Sequence, residues 1–139
     1  MKKIAWACGL LLLASISGFS QNQIQLHYGN RSSSVIPVYT GGLEFVAVRD
    51  LVTLLEINTF ENPAKKKIVL FLPSHQIKIT GNNAFIMADE KTSYQMPVEA
   101  SYMDGVLLVP VKFFIPLLNS FLASPVLVND QPYLADTHG

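Results

Sequence analysis

Gly42-Leu43-Glu44-Phe45-Val46-Ala47-Val48-Arg49 recurs without a gap as Gly105-Val106-Leu107-Leu108-Val109-Pro110-Val111-Lys112. Each copy opens on a glycine turn, continues as an apolar strand and ends on a basic residue. At the same offset Leu51 meets Phe114, Leu54 meets Leu117 and Leu55 meets Leu118. In residues 48–57 the apolar positions Val48, Leu51, Val52, Leu54 and Leu55 recur at three- and four-residue spacing, which predicts a short amphipathic helix. Phe114, Leu117, Leu118, Phe121 and Leu122 predict a second one. Helices this short are not stable alone, so each is expected to bury its stripe, Leu54 and Leu117 included, on a sheet. Pro110 suits a first helical turn, whereas Pro116 removes an interior hydrogen bond and kinks or shortens the second helix. Two copies are too few for a solenoid. The expectation is one core holding a duplicated strand–helix unit.

Outward from these copies the pattern is short strands between turn residues. Ile24, Leu26 and Tyr28 alternate with Gln25 and His27, as a half-buried strand does, and Gly29-Asn30 ends it. Residues 35–39 form a second candidate, with Pro37 suggesting a sheet edge. Residues 43–46 follow the Gly41-Gly42 turn. Residues 67–72 and 76–80 flank Pro73-Ser74 as a hairpin. Gly81-Asn82-Asn83 precedes a strand at 84–87, and Asp89-Glu90-Lys91 turns the chain into residues 93–96. The fold class read from this is α+β, with short, mainly antiparallel strands and two helices.

The chain has 139 residues, 10 Lys plus Arg against 10 Asp plus Glu, and one cysteine. One domain is the default at that length. Neutral balance argues against nucleic acid as a partner, because phosphate binding calls for a basic stripe. Lys2 and Lys3 precede an apolar run at residues 4–16, followed by Ser17, Gly18 and Ser20. That order is the one a secretory signal peptide shows, and the run is shorter than the roughly 20 residues of a membrane span. Gly18 and Ser20 place cleavage after residue 20. The expected organisation is a signal peptide at 1–20, a domain at 21–135, and a tail or linker start at 136–139. The exported product has no transmembrane anchor and belongs in the periplasm or outside the cell. Cleavage removes Cys8, Lys2 and Lys3, leaving 8 basic against 10 acidic residues and no thiol. Stability must then come from packing rather than disulfides.

Phe45-Val46-Ala47-Val48-Arg49-Asp50-Leu51 and Leu108-Val109-Pro110-Val111-Lys112-Phe113-Phe114 resemble the paired elements of the copper amine oxidase N-terminal-like domain. Lys65-Lys66-Lys67, the strands to Thr80, and Asp104-Gly105 stand where that family has a Lys-rich turn, a hairpin and an Asp-Gly segment. The resemblance runs from about Ile24 to Leu134. Glu56, where the family usually has glycine, and Pro116 depart from it. It implies a non-catalytic stalk or accessory domain of exported proteins, often ahead of an N-acetylmuramoyl-L-alanine amidase. Implied partners are peptidoglycan and a downstream amidase module. The copper of the name belongs to the enzyme in which the domain was first described, and the resemblance implies no cofactor here.

The residues assign no catalytic, cofactor-binding or metal-ligating position. His27, His75 and His138 each stand without a second histidine at ligand spacing, and read as solvated. Ser32-Ser33-Ser34 fall in an expected loop with no nucleophile elbow around them. The carboxylate pairs Glu99 with Asp104 and Asp50 with Glu56 read as solvated, the first in a connecting loop and the second on different sides of a short helix. Two features suit binding. Lys65-Lys66-Lys67 is a compact basic turn able to meet an anionic glycan, teichoic acid or lipid headgroup, or simply to guard a strand edge. Tyr94, Tyr102 and Tyr133 are candidates for a sugar-stacking face. The function read from all this is an exported, non-enzymatic accessory domain of the cell envelope. A freestanding periplasmic binding or inhibitor protein is the alternative.

Overall fold

Residues 22–132 are described by the computed structural model. The signal-peptide reading, Tyr133 and His138 lie outside the described residues. Strands β1 (Ile24–Tyr28), β2 (Arg31–Val35), β3 (Val38–Thr40) and β4 (Leu43–Ala47) lead into helix α1 (Val48–Leu55). After it come β5 (Asn58–Asn62), a single 3-10 turn (Pro63–Lys65), β6 (Lys67–Phe71), β7 (Gln76–Thr80) and β8 (Asn83–Ala88). A long β9 (Thr92–Met103) and β10 (Val106–Pro110) feed helix α2 (Val111–Asn119), and β11 (Leu127–Val128) and β12 (Gln131–Pro132) follow. The described chain is α+β, with every strand pair antiparallel.

Eight strands form one sheet in the order β3-β4-β10-β9-β8-β7-β6-β5, and four form a second in the order β12-β11-β1-β2. In the large sheet period-two alternation sorts the side chains. Ile68 faces Ile79, Leu70 faces Ile77, and Ile79 faces Ile86 in register, and all are buried. Val69, Lys78 and Met87 alternate with them toward the opposite face. The sheet curls at β9, where the step from Gln95 to Ala100 lies opposite the shorter step from Phe85 to Asn83 on β8. Such an irregularity bends the strand that carries the excess, and Pro97 falls within it.

At the centre β4 pairs with β10, with Val46 directly opposite Val109. Each strand runs straight into its helix through an extended residue, Ala47 or Pro110, and neither helix has a side-chain cap at that end. Helix α1 packs against β4 and β10 of the large sheet and β1 and β2 of the small one, whereas α2 packs on β4, β9 and β10. Val48, Leu51, Leu54 and Leu55 are the buried stripe of α1; Val111, Phe114, Ile115 and Leu118 are that of α2. Leu117 is only partly covered, unlike Leu54, because the α2 stripe centres on Phe114 and Ile115. These residues and both sheets share one apolar cluster.

Polar contacts tie the small sheet to the rest. Arg31 on β2 donates from Nε to the Leu54 carbonyl at 2.7 Å and from Nη2 to the Leu55 carbonyl at 3.2 Å. These are the carbonyls a helix C-terminus leaves unpaired, and α1 has no basic residue of its own in its last turn. Beyond α2, Asn119 accepts from the Val126 N–H at 2.8 Å and donates to its carbonyl at 3.1 Å, fixing the approach to β11.

The structure corrects several details of the sequence reading. Residues 35–39 are not one strand: Ile36 and Pro37 separate β2 from β3, since proline lacks the donor a ladder needs. Ser32-Ser33-Ser34 lie in β2 rather than a loop, and Gln25 Nε2 donates to Ser34 Oγ at 2.6 Å across the ladder. Glu99 lies in β9 rather than a loop. Pro110 is the residue before α2, not within its first turn, and α1 stops at Leu55. Glu56 ends α1 in the left-handed region at φ 54°, the conformation a glycine takes most readily.

Candidate functional site

The basic turn is a built structure. Asn62 Oδ1 accepts from the Lys65 N–H at 3.3 Å, and the Lys66 N–H donates to the Pro63 carbonyl at 3.1 Å. The Lys66 carbonyl in turn accepts from the Gly81 N–H at 2.8 Å. Lys66 itself is left-handed at φ 55°, so a position that glycine fills without steric cost carries a lysine. Gly81 is buried against Tyr102: a Cβ added there would stand 2.7 Å from the Tyr102 Cβ. That close approach brings the end of β7 and the turn before β8 up to the far end of β9.

The result is a half-open cleft of about 320 Å³. Arg49 from the first turn of α1, Glu61 from β5, and Lys66 and Lys67 from the basic turn give it four charged side chains. Val48, Ile68, Tyr102, Gly105, Val106 and Leu107 are among its other lining residues. Gly105, at φ 79°, follows Asp104 at φ 52°, and two successive left-handed residues make the tight hairpin turn between β9 and β10. The Lys66 ammonium stands over the Tyr102 ring, 5.7 Å from its centroid. Among the described residues no carboxylate lies within 4.0 Å of the Arg49, Lys66 or Lys67 cationic groups. Three cations and one anion therefore share a recess whose remaining walls are apolar.

The candidates read from sequence divide around this cleft. It unites Lys66 and Lys67 with Tyr102, which the sequence offers as unrelated features, and adds Arg49 and Glu61, which sequence reasoning missed. Arg49 had a signal, being the basic residue that closes the first repeated stretch. Its counterpart Lys112 lies over the Phe113 ring, 5.7 Å from the centroid, and does not line the cleft. Tyr94 does not line it either; it meets Phe121 edge-on at 5.7 Å.

His75 is partly exposed and has a carboxylate partner. Its Nδ1 lies 2.8 Å from Asp89 Oδ2, and its ring meets Phe121 at 5.1 Å. Asp89 Oδ1 accepts from the Gln76 N–H at 2.8 Å. The hydrogen bond to His75, and then the one from the Gln76 backbone, hold the Asp89 carboxyl below its ordinary value. This pair joins the turn after β6 to the turn after β8. His27 pairs with Asp130 at 3.2 Å on the small sheet.

A copper or zinc centre requires at least three convergent donors. His27 and His75 stand in separate pairs, and among the described residues no three His, Cys, Asp or Glu side chains gather. The described donor set does not fit such an ion. Also among the described residues, no helix is long and apolar enough to cross a membrane.

Against known families, the copper amine oxidase N-terminal domain matches residues 28–123. No curated protein and no solved structure matches the chain.

Proposed function

The chain belongs to the copper amine oxidase N-terminal domain family, and from that premise we propose that it works as an exported, non-catalytic accessory domain of the cell envelope. In copper amine oxidase the N-terminal domain is not the catalytic one. We assign this chain the corresponding place in a peptidoglycan amidase, as the N-terminal part that holds the enzyme on its polymeric substrate. The match over residues 28–123 carries the reading. The charged, apolar, small-residue order of residues 1–20 supports export. Val46 facing Val109, each followed by a helix, supports the duplicated strand–helix unit as the frame. A domain of this kind raises the local concentration of an attached enzyme at a polymer and leaves the chemical step alone.

A second reading is a freestanding periplasmic binding or inhibitor protein, which the net positive cleft supports as a place for an anionic ligand. One experiment separates the two. Residues 21–135 are placed ahead of an amidase catalytic module, and hydrolysis of intact sacculi is compared with that of a soluble muropeptide. The accessory reading expects faster turnover on sacculi alone. Equal rates with and without the domain on both substrates refute it. Mass spectrometry of exported material tests processing, with Gln21 expected at the N-terminus. Intact Met1 in a cytoplasmic pool counts against export.

A further inference from the structure

We infer that the cleft lined by Arg49, Lys66, Lys67 and Tyr102 binds a sugar ring bearing a carboxylate, as a unit of an anionic glycan. This assignment rests on the cell-envelope reading for its choice of polymer, and on the cleft's own chemistry for its choice of ligand. Charge is the first consideration. The whole chain is balanced at 10 basic and 10 acidic residues, yet the cleft gathers three cations around one carboxylate, Glu61. None of the three has an ion-pair partner among the described residues. Three cations against one carboxylate leave the recess net positive, and a bound anion lowers that excess.

Shape and surface narrow the anion. A bare phosphate or sulfate has no use for Val48, Ile68, Leu107 and the Tyr102 ring, which form much of the lining. A pyranose presents both surfaces at once, an apolar C–H face for an aromatic ring and polar substituents at its edge. At about 320 Å³ the recess is at the small end of ligand pockets, suited to one or two rings of a chain that continues into solvent. A carboxylate substituent on that ring meets Arg49, whose planar fork matches it bidentately, and Lys66 as a point charge. The Lys66 backbone is pinned through Pro63 and Gly81, and its exposed ammonium, 5.7 Å from the Tyr102 centroid, has to swing off the ring toward the carboxylate when a sugar stacks there. A backbone held this way has less freedom to lose on binding.

N-acetylmuramic acid and N-acetylglucosamine make a direct test, because they differ only in the lactyl ether that carries the carboxylate. Each is titrated into the purified chain and followed by amide NMR shifts. N-acetylmuramic acid is expected to move Lys66, Tyr102 and Gly105 with a Kd of about 1 mM, and N-acetylglucosamine to bind at least about tenfold more weakly. Arg49→Gln and Lys66→Gln are each expected to weaken the acid about tenfold without lowering the melting temperature, since both side chains are exposed. Equal affinity for the two sugars overturns the inference. So does inorganic phosphate competing as well as the acid, which marks a general anion site. Sedimentation with sacculi stripped of their stem peptides, so that the lactyl carboxylates are free, separates this result from the broader reading. If the wild type and the two variants sediment equally and none responds to the acid, the cleft assignment falls and the envelope role stands. Binding of the acid without sedimentation supports the cleft and counts against the envelope role.

Discussion

Arg31→Met should destabilise the domain by about 2–3 kcal/mol. The substitution keeps an apolar stem but removes the guanidinium that joins β2 to the C-terminus of α1. At that helix end the Leu54 carbonyl is 2.7 Å from Nε and the Leu55 carbonyl 3.2 Å from Nη2. Hydrogen bonds with a charged partner contribute about 1.5–3 kcal/mol, but the second is long and the Arg31 side chain is 36% exposed, so about 1.5 kcal/mol for both is the discounted figure. A cation at a helix C-terminus adds about 0.3–1 kcal/mol. The Tyr28 ring, 5.5 Å from the guanidinium, adds about 0.5 kcal/mol. Glu56, at 3.7 Å and 65% exposed, adds little, as exposed ion pairs do. Urea unfolding followed by circular dichroism reads the effect directly. With a slope of about 1.5–2 kcal/mol/M the midpoint falls by about 1–2 M. Arg31→Lys should cost about 1 kcal/mol, because it keeps the charge and loses the fork. A double-mutant cycle with Glu56→Gln should show coupling below about 0.5 kcal/mol. If Arg31→Met costs less than about 0.5 kcal/mol, the guanidinium does not tie α1 to the small sheet.

Gly81→Ala should cost about 1–3 kcal/mol in the same assay, because its Cβ meets the Tyr102 Cβ at 2.7 Å between two pinned backbones; wild-type stability would show that the approach is looser. Leu54→Ala should cost about 2–5 kcal/mol, and Leu117→Ala roughly half that or less, since Leu54 is 3% exposed and Leu117 only packs at the margin of the core. Equal losses would place Leu117 in the interior after all. Asp89 has a folded-state pKa below its unfolded value, so its contribution is present above about pH 4 and is lost as pH falls through the depressed value. Asp89→Asn should therefore flatten the acid limb of stability against pH; an unchanged limb would show that its bonds to His75 and Gln76 do not persist in solution.

What could be read from the sequence follows from how local each feature is. Strand β1 shows in the alternation of Ile24, Leu26 and Tyr28, because one face is buried and the other is wet. Helix α1 shows in its three- and four-residue spacing; for α2 the spacing holds only as far as Leu118, and Phe121 and Leu122 lie past the helix end at Asn119. Strand β5 is invisible in Asn58-Thr59-Phe60-Glu61-Asn62: among the described residues it is an edge strand paired with β6 alone, and it presents Phe60 to solvent at 59% exposure. Strand β2 hides behind three serines for a related reason. Its identity lies in the ladder with β1, where Leu26 faces Ser33 and His27 faces Ser32, and only Val35 of its own residues is buried. Extended backbone in such segments is imposed by the neighbouring strand and has no pattern of its own.

The cleft is harder to read than the fold because none of its walls is local. Lys66 and Tyr102 are far apart in the chain, and they meet because β7, β8 and β9 return past one another and Gly81 lets two backbones close up. A glycine whose φ is not left-handed gives no turn signal that would distinguish it from its neighbours Asn82 and Asn83, yet removing its Cβ is what permits the approach to Tyr102. Arg49 and Gly105 fall in the two stretches that align in sequence, residues 42–49 and 105–112. Pairing β4 with β10 puts the start of α1 beside the turn that opens β10, and the sole charged residue among α1's contributions there is Arg49. Arg49 and Lys112, which correspond in the two aligned stretches, thus have different surroundings. Lys112, in the corresponding place on α2, covers Phe113 instead of facing a recess. Arg49 faces a recess that Lys66, Lys67 and Tyr102 also line, and Lys112 is not among the residues lining it.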